Sequence, residues 1–278
     1  MSRSRLSFGL REPTCLHSRL RCFSRNAEFP KMCSKKRMHP ENFQRKGWLL
    51  ISIAFIATFF AGCKTPGPPH KPHDAKQWEK DIQAFEAADR TNPPPQNAIF
   101  FIGSSSIKRW ATLAENFAGY TVINRGFGGS HLSDSVAFVD RIVVPYKPKI
   151  VLIYAGDNDI AFGKSPEEVF GDFKKFVKKI HATLPETKVD FISIKPSPAR
   201  EKYLEQIKKT NRMVKEFASK QKRVGYIDVF TPMLSGEGRP RPELFVKDGL
   251  HPNKDCYDLW ASIIKRTLQK QRTEAQKR

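Results

Sequence analysis

Ala98-Ile-Phe-Phe-Ile-Gly-Ser-Ser-Ser-Ile107 is the stretch whose reading decides the fold. Its apolar residues do not alternate with polar ones, and the run stops abruptly at a glycine and three serines. A half-exposed strand would alternate, so Ala98–Ile102 reads as a strand covered on both faces, the habit of parallel sheets. The pattern returns at Thr121–Asn124, Ile150–Tyr154, Val189–Ile194 and Val224–Val229. Between these runs the period changes to that of a helix. Ser165-Pro-Glu-Glu168 is a capping box with proline at the first helical position. Behind it Val169, Phe173, Phe176, Val177, Ile180 and Leu184 form one apolar stripe. Leu204, Ile207, Val214, Phe217 and Ala218 form a second; Cys256, Trp260, Ile263, Ile264 and Leu268 form a third, which makes Cys256 a packed thiol. Strand and helix in strict alternation require right-handed crossovers and predict a three-layer α/β/α sandwich over residues 98–271, followed by a basic tail at 272–278.

Ligands of such sheets bind beyond the carboxyl ends of the strands. The first strand runs into Gly103-Ser-Ser-Ser106, where a serine is either a helix N-cap or a nucleophile close to backbone N–H donors. The second ends in Asn124-Arg-Gly-Phe-Gly-Gly-Ser130, a glycine turn or a backbone that approaches a ligand; it lacks the dinucleotide fingerprint. The third ends in Gly156-Asp-Asn-Asp159, where Asn158 either forms a turn or aims its amide at an oxyanion. No further cluster of His, Asp and Glu accompanies it, so neither metal nor cofactor is expected. Ahead of the last helix stands Asp248-Gly-Leu-His251, a spacing that suits a carboxylate orienting an imidazole.

Taken in order, these four segments resemble the conserved blocks of the GDSL or SGNH hydrolases. Phe101-Ile-Gly-Ser-Ser-Ser-Ile107 is similar to the first block and aligns its serine with Ser105; Gly128-Gly129-Ser130 is similar to the second, Gly156-Asp157-Asn158 to the third, and Asp248-x-x-His251 to the last. Ser104 stands where the name-giving motif has Asp. The resemblance covers residues 98–271 and implies a flavodoxin-like parallel sheet of about five strands. It implies a serine esterase with Ser105, His251 and Asp248 as triad, and the Ser105 and Gly129 N–H groups and Asn158 side chain as oxyanion hole. Asn211, interrupting an apolar stripe, reads as structural. By position at strand ends, Arg125, Phe127, Lys195 and Ser197 are expected to border the substrate pocket. The expected substrate is a small acyl ester, acetyl above all, of a carbohydrate or other polar alcohol. A lipid-surface lipase or phosphodiesterase and a non-catalytic glycan-binding lipoprotein are the alternatives.

The first 97 residues read as address and tether. Trp48–Gly62 is an apolar run of 15 residues behind Arg45 and Lys46. That is short of the ~20 needed to span a bilayer and matches a signal peptide. Ala61-Gly62-Cys63 resembles a lipoprotein lipobox, which implies cleavage after residue 62, acylation of Cys63 and a secreted, membrane-anchored protein. Met32 or Met38 would give a more ordinary leader. Residues 63–97 read as a proline-rich tether with a short helix carrying Trp78, Ile82 and Phe85, ended by Pro93-Pro-Pro95. Of 49 Lys/Arg and 28 Asp/Glu, 12 and 3 fall in residues 1–63, so the rest keeps a surplus of +12. Solvated lysine faces account for that surplus, or attraction to an anionic glycan or membrane. Without a zinc-finger spacing, an RNP-like segment or a continuous basic helix, nucleic acid is not an expected partner.

Overall fold

Chain segments that are apolar on every side must be covered on both faces, and the three central strands are, whereas the two edge strands are half-buried. The structure, a computed structural model, describes residues 73–277; the expected leader, lipobox and Cys63 lie outside the described residues. The strands are β1 (Ile99–Gly103), β2 (Val122–Gly126), β3 (Ile150–Tyr154), β4 (Lys188–Ile192) and β5 (Val224–Ile227). They form one parallel sheet in the order β2-β1-β3-β4-β5. The chain leaves β2, crosses β1 and resumes at β3, so the order reverses on either side of β1, where a doubly wound sheet opens a crevice.

Alternation along each strand divides two cores. Phe100, Ile102, Val151, Ile153, Val189 and Phe191 face one layer. It is built by α1 (Glu79–Thr91), α4 (Leu132–Ile142), α6 (Pro166–Thr183) and α7 (Leu204–Ala218). Ile99, Phe101, Leu152 and Tyr154 face the other, built by α2 (Ser105–Lys108), α3 (Leu113–Asn116) and α8 (Lys254–Gln276). The remaining helix, α5 (Asp157–Phe162), continues from the end of β3. Helix α6 starts as its sequence indicates: the Ser165 hydroxyl accepts from the Glu168 N–H, and the Glu168 carboxylate accepts from the Ser165 N–H.

Several boundaries differ from the sequence expectation: β2 runs on to Gly126, β5 stops at Ile227 rather than Val229, and α8 reaches Gln276, into the stretch expected to be a basic tail. Strand β4 stops at Ile192 rather than Ile194, because Asn211 of α7 takes both backbone groups of Ile194, each at 2.9 Å. The structural reading of that asparagine agrees with the geometry. Helix α1, expected within a tether, belongs to the folded body. Ile82 is fully buried in the core. Glu79 and Glu86 pair with Arg141, Asp81 with Lys108 and Asp89 with Arg125. The folded unit therefore begins well before residue 98.

Candidate active site

The turn that carries Ser105 is built by close approach. Gly103 ends β1 at φ +137, and a methyl group there would meet the Tyr154 carbonyl at 1.9 Å, so only glycine fits. Ser104 is buried and donates its N–H to Tyr154 O. Ser105 follows as the first residue of α2. The turn is fixed from both sides: Asn124 Nδ2 donates to Ile107 O at 2.7 Å, and Tyr257 of α8 donates to Ser106 O at 3.0 Å.

Across the crevice lies the loop between residues 245 and 252. Asp248 Oδ1 accepts from the backbone N–H groups of Leu250 and His251, at 2.8 and 2.9 Å, and Oδ2 lies 2.6 Å from His251 Nδ1. Partial burial pushes the Asp248 carboxyl upward, but these hydrogen bonds outweigh it and hold the group well below the ordinary carboxylate range. His251 Nε2 then reaches Ser105 Oγ at 2.9 Å. Hydroxyl, imidazole and carboxylate thus form a continuous chain of the kind that makes a serine nucleophilic.

Three candidate donor residues line the same cleft. Ser105 N, Gly129 N and the Asn158 amide belong to three segments, and all three residues line a cleft of about 470 Å³ with Gly128, Lys108, Arg109, Leu250 and His251. Among the described residues neither the Ser105 nor the Gly129 N–H has a hydrogen-bond acceptor. Gly129 adopts φ +79, a conformation that suits glycine and turns the peptide out of the strand direction. Asn158 Nδ2 donates to Ser130 O at 3.2 Å, tying the third segment to the second.

The four residues expected to border the pocket lie elsewhere. Phe127 is fully buried against Trp78 and Phe138. Arg125 turns to the α1 side, pairs with Asp89 and lies over the rings of Phe85 and Tyr146. Lys195 is 1% exposed and pairs with Asp157 at 2.7 Å and with the Tyr154 hydroxyl at 2.9 Å. Burial alone would raise the Asp157 carboxyl; the Lys195 ammonium outweighs it and holds the group below its usual range. Ser197 is buried as well. Conversely, Lys108, Arg109 and Leu250 line the cleft and were not anticipated. The signal was available: residues three and four beyond Ser105 share its side of a helical turn. Cys256 is buried beside Met233, and burial pushes its thiol up to about 12, as expected of a packed thiol. Among the described residues no group of three or more His, Cys, Asp or Glu could hold a metal ion.

A parallel sheet with serine, glycine, asparagine and a histidine–aspartate pair at its carboxyl end defines the SGNH type of hydrolase. The family profile of the GDSL-like lipase/acylhydrolases matches residues 100–259, and the chain belongs to that family, whose members are ester hydrolases. Its fold is shared with solved structures at low identity. A candidate platelet activating factor from Streptococcus pneumonia is 24% identical, with TM-score 0.62, covering 69% of this chain and 93% of that one. A GDSL-like lipase from Bacteroides thetaiotaomicron is 22% identical, with TM-score 0.59, covering 71% and 98%. A candidate acylhydrolase from Bacteroides fragilis is also 22% identical, with TM-score 0.59, covering 72% and 99%. No curated protein sequence matches the chain.

Proposed function

We propose that the protein is a serine esterase that removes a small acyl group, acetyl above all, from a carbohydrate or other polar alcohol. The observation that carries this reading is the unbroken Ser105–His251–Asp248 chain facing three donors in one cleft. His251 Nε2 takes the Ser105 proton as Oγ adds to the ester carbonyl, and Asp248 stabilises the imidazolium. The carbonyl oxygen becomes an oxyanion met by the N–H groups of Ser105 and Gly129 and the Asn158 amide, each worth roughly 3–4 kcal/mol in the transition state. His251 returns the proton to the departing alcohol. Water then attacks the acyl-serine by the same route and frees the acid.

The cleft lining supports a short acyl chain. Among the described residues Leu250 is the one aliphatic side chain that lines it, whereas a fatty chain needs an extended apolar wall. The lining also carries positive charge. Lys108 is neutralised by Asp81, but Arg109 has no acidic partner among the described residues, and no carboxylate lines the cleft. An anionic alcohol half, such as an acidic saccharide, suits that arrangement. Kinetics on p-nitrophenyl esters of increasing chain length, and on acetylated acidic and neutral oligosaccharides at low and high salt, test the proposal. Acetyl should be preferred, with an acidic preference that salt weakens. Faster cleavage of long-chain esters would instead favour the lipid-surface hydrolase. A non-catalytic glycan-binding role fits poorly with a serine already within hydrogen-bond distance of its base.

The proposal extends to location. Export across the inner membrane and anchorage through acylated Cys63 follow from the lipobox-like Ala61-Gly62-Cys63. Intact-mass spectrometry of detergent-extracted protein should find residues 1–62 removed and a thioether-linked diacylglycerol on Cys63. A membrane-bound, uncleaved Cys63→Ser variant would replace the lipid with an uncleaved apolar anchor.

A further inference from the structure

The segment ahead of β1 reaches the oxyanion loop itself. Helix α1 follows a short 3-10 turn, Ala75–Trp78, and both precede the residues matched by the family profile. A methyl group built on Gly129 would lie 3.1 Å from Trp78 Cη2, so the indole edge abuts that glycine. One built on Gly128 would meet Lys108 Cδ at 3.4 Å and Ser105 Cβ at 3.9 Å. The pair Gly128-Gly129 is therefore held between the nucleophile turn and the indole. Trp78 also packs edge-on against Phe127, with ring centres 6.0 Å apart.

A single carboxylate oxygen fixes the tryptophan to the far side of the loop. Asp134 Oδ2 accepts from Trp78 Nε1 at 2.9 Å and from His131 N at 2.7 Å, and His73 Nε2 lies 2.7 Å away. Phe127, Gly129 and His131, every second residue of the loop, are thus engaged by Trp78 directly or through Asp134. Asp81, one turn along α1, holds Lys108 on the opposite wall at 2.8 Å.

Two consecutive glycines have more backbone freedom than any other dipeptide, whereas an oxyanion donor must be in place before charge develops. We propose that Trp78, locked by Asp134, is a positioning residue for the Gly129 N–H. The turn that carries Trp78 then supports the oxyanion loop and is not a spacer. The inference rests on Gly129 acting as an oxyanion donor.

The test uses the full chain with Trp78→Ala, Trp78→Phe, Ile82→Ala and Asn158→Ala. Ile82→Ala removes core packing from the same helix without touching the loop. Each variant is assayed for kcat and KM on p-nitrophenyl acetate, and for inhibition by a short-chain trifluoromethyl ketone, whose hemiketal on Ser105 places an oxyanion in the hole. Trp78→Ala should lose at least tenfold in kcat, with KM within threefold, and the inhibitor should weaken by the same factor. Trp78→Phe, which keeps a ring and loses the N–H bond, should fall between. Ile82→Ala should melt earlier with kcat and inhibition intact.

If both Trp78 variants stay within twofold while Asn158→Ala loses kcat, the positioning role is wrong and the oxyanion hole stands. If Asn158→Ala is also unaffected, the oxyanion reading falls and takes this inference with it. Parallel losses in Trp78→Ala and Ile82→Ala would reduce Trp78 to packing. Should Trp78→Ala not fold, Trp78→Phe carries the same criterion, with inhibitor affinity as the readout.

Discussion

Removing the Lys195 charge separates a structural cation from a substrate-binding one. In Lys195→Met a 1% exposed ammonium is replaced by a thioether of similar length, leaving Asp157, itself 5% exposed, without its partner at 2.7 Å. Breaking a buried pair from one side costs about 3–5 kcal/mol, because a desolvated charge remains. In a domain of this size each kcal/mol moves the melting temperature by about 2–4 °C, so the loss should be roughly 6–20 °C. The deficit should depend on pH with a definite sign. Without Lys195, burial raises the Asp157 carboxyl above its unfolded value, so stability is lost as pH rises through the new pKa and partly regained on acidification. Asp157→Asn in the Lys195→Met background removes the orphan charge and should recover most of the loss. Urea denaturation of the wild type, both single variants and the double variant closes the cycle, with kcat and KM measured alongside. A Lys195→Met enzyme of wild-type stability and raised KM would refute this reasoning and return Lys195 to the substrate pocket.

Ser105→Ala should abolish ester hydrolysis and leave circular dichroism and melting nearly unchanged; inactivation by Ser104→Ala or Ser106→Ala with an active Ser105→Ala would move the nucleophile. Asn158→Ala should lower kcat by about two to three orders of magnitude, the loss typical of an oxyanion donor, and an effect confined to KM would assign the amide to substrate binding. Burial holds the His131 imidazole at about 4, helped by the charges of His73 and Lys164 and opposed by those of Asp134 and Asp157. Its folded pKa lies below the unfolded one, so its contribution is complete above about pH 6.5 and is lost as pH falls toward 4, by about 3 kcal/mol at most. Denaturation midpoints between pH 7 and 4.5 should therefore fall less steeply in His131→Gln than in the wild type, and identical slopes would exclude this residue.

The layers and the four site segments were legible because uniformly apolar strands of a parallel sheet all point the same way. Ser105, Gly129, Asn158 and His251 each follow or lie near a strand's carboxyl end, so topology alone brings them together. What strand ends do not reveal is the face. Along β2 the side chains alternate: Asn124 reaches the nucleophile helix, and Arg125 turns to the layer that holds Ile123 and Tyr146. Lys195 was misplaced for another reason. A lysine in sequence reads as solvated, and its partner Asp157 lies 38 residues away on another strand's exit. Helix α1 was legible as a helix from the spacing of Trp78, Ile82 and Phe85, but the prolines on either side made it read as part of a tether, whereas its docking through ion pairs to Lys108, Arg125 and Arg141 is set by tertiary structure.

The closeness of Asp248 and His251 along the chain bears on how the enzyme comes into being. Their contact closes across three residues, whereas the contact of His251 with Ser105 spans 146. By loop-closure entropy the longer contact costs about 3 kcal/mol more to form. The base and its carboxylate can pair within an isolated stretch of peptide, before any sheet exists. On the proposed mechanism, catalytic power then arises in one event, when that pair docks against Ser105. Regain of esterase activity during refolding is therefore a clock for the last long-range closure, and it should lag the recovery of helix signal and never precede it.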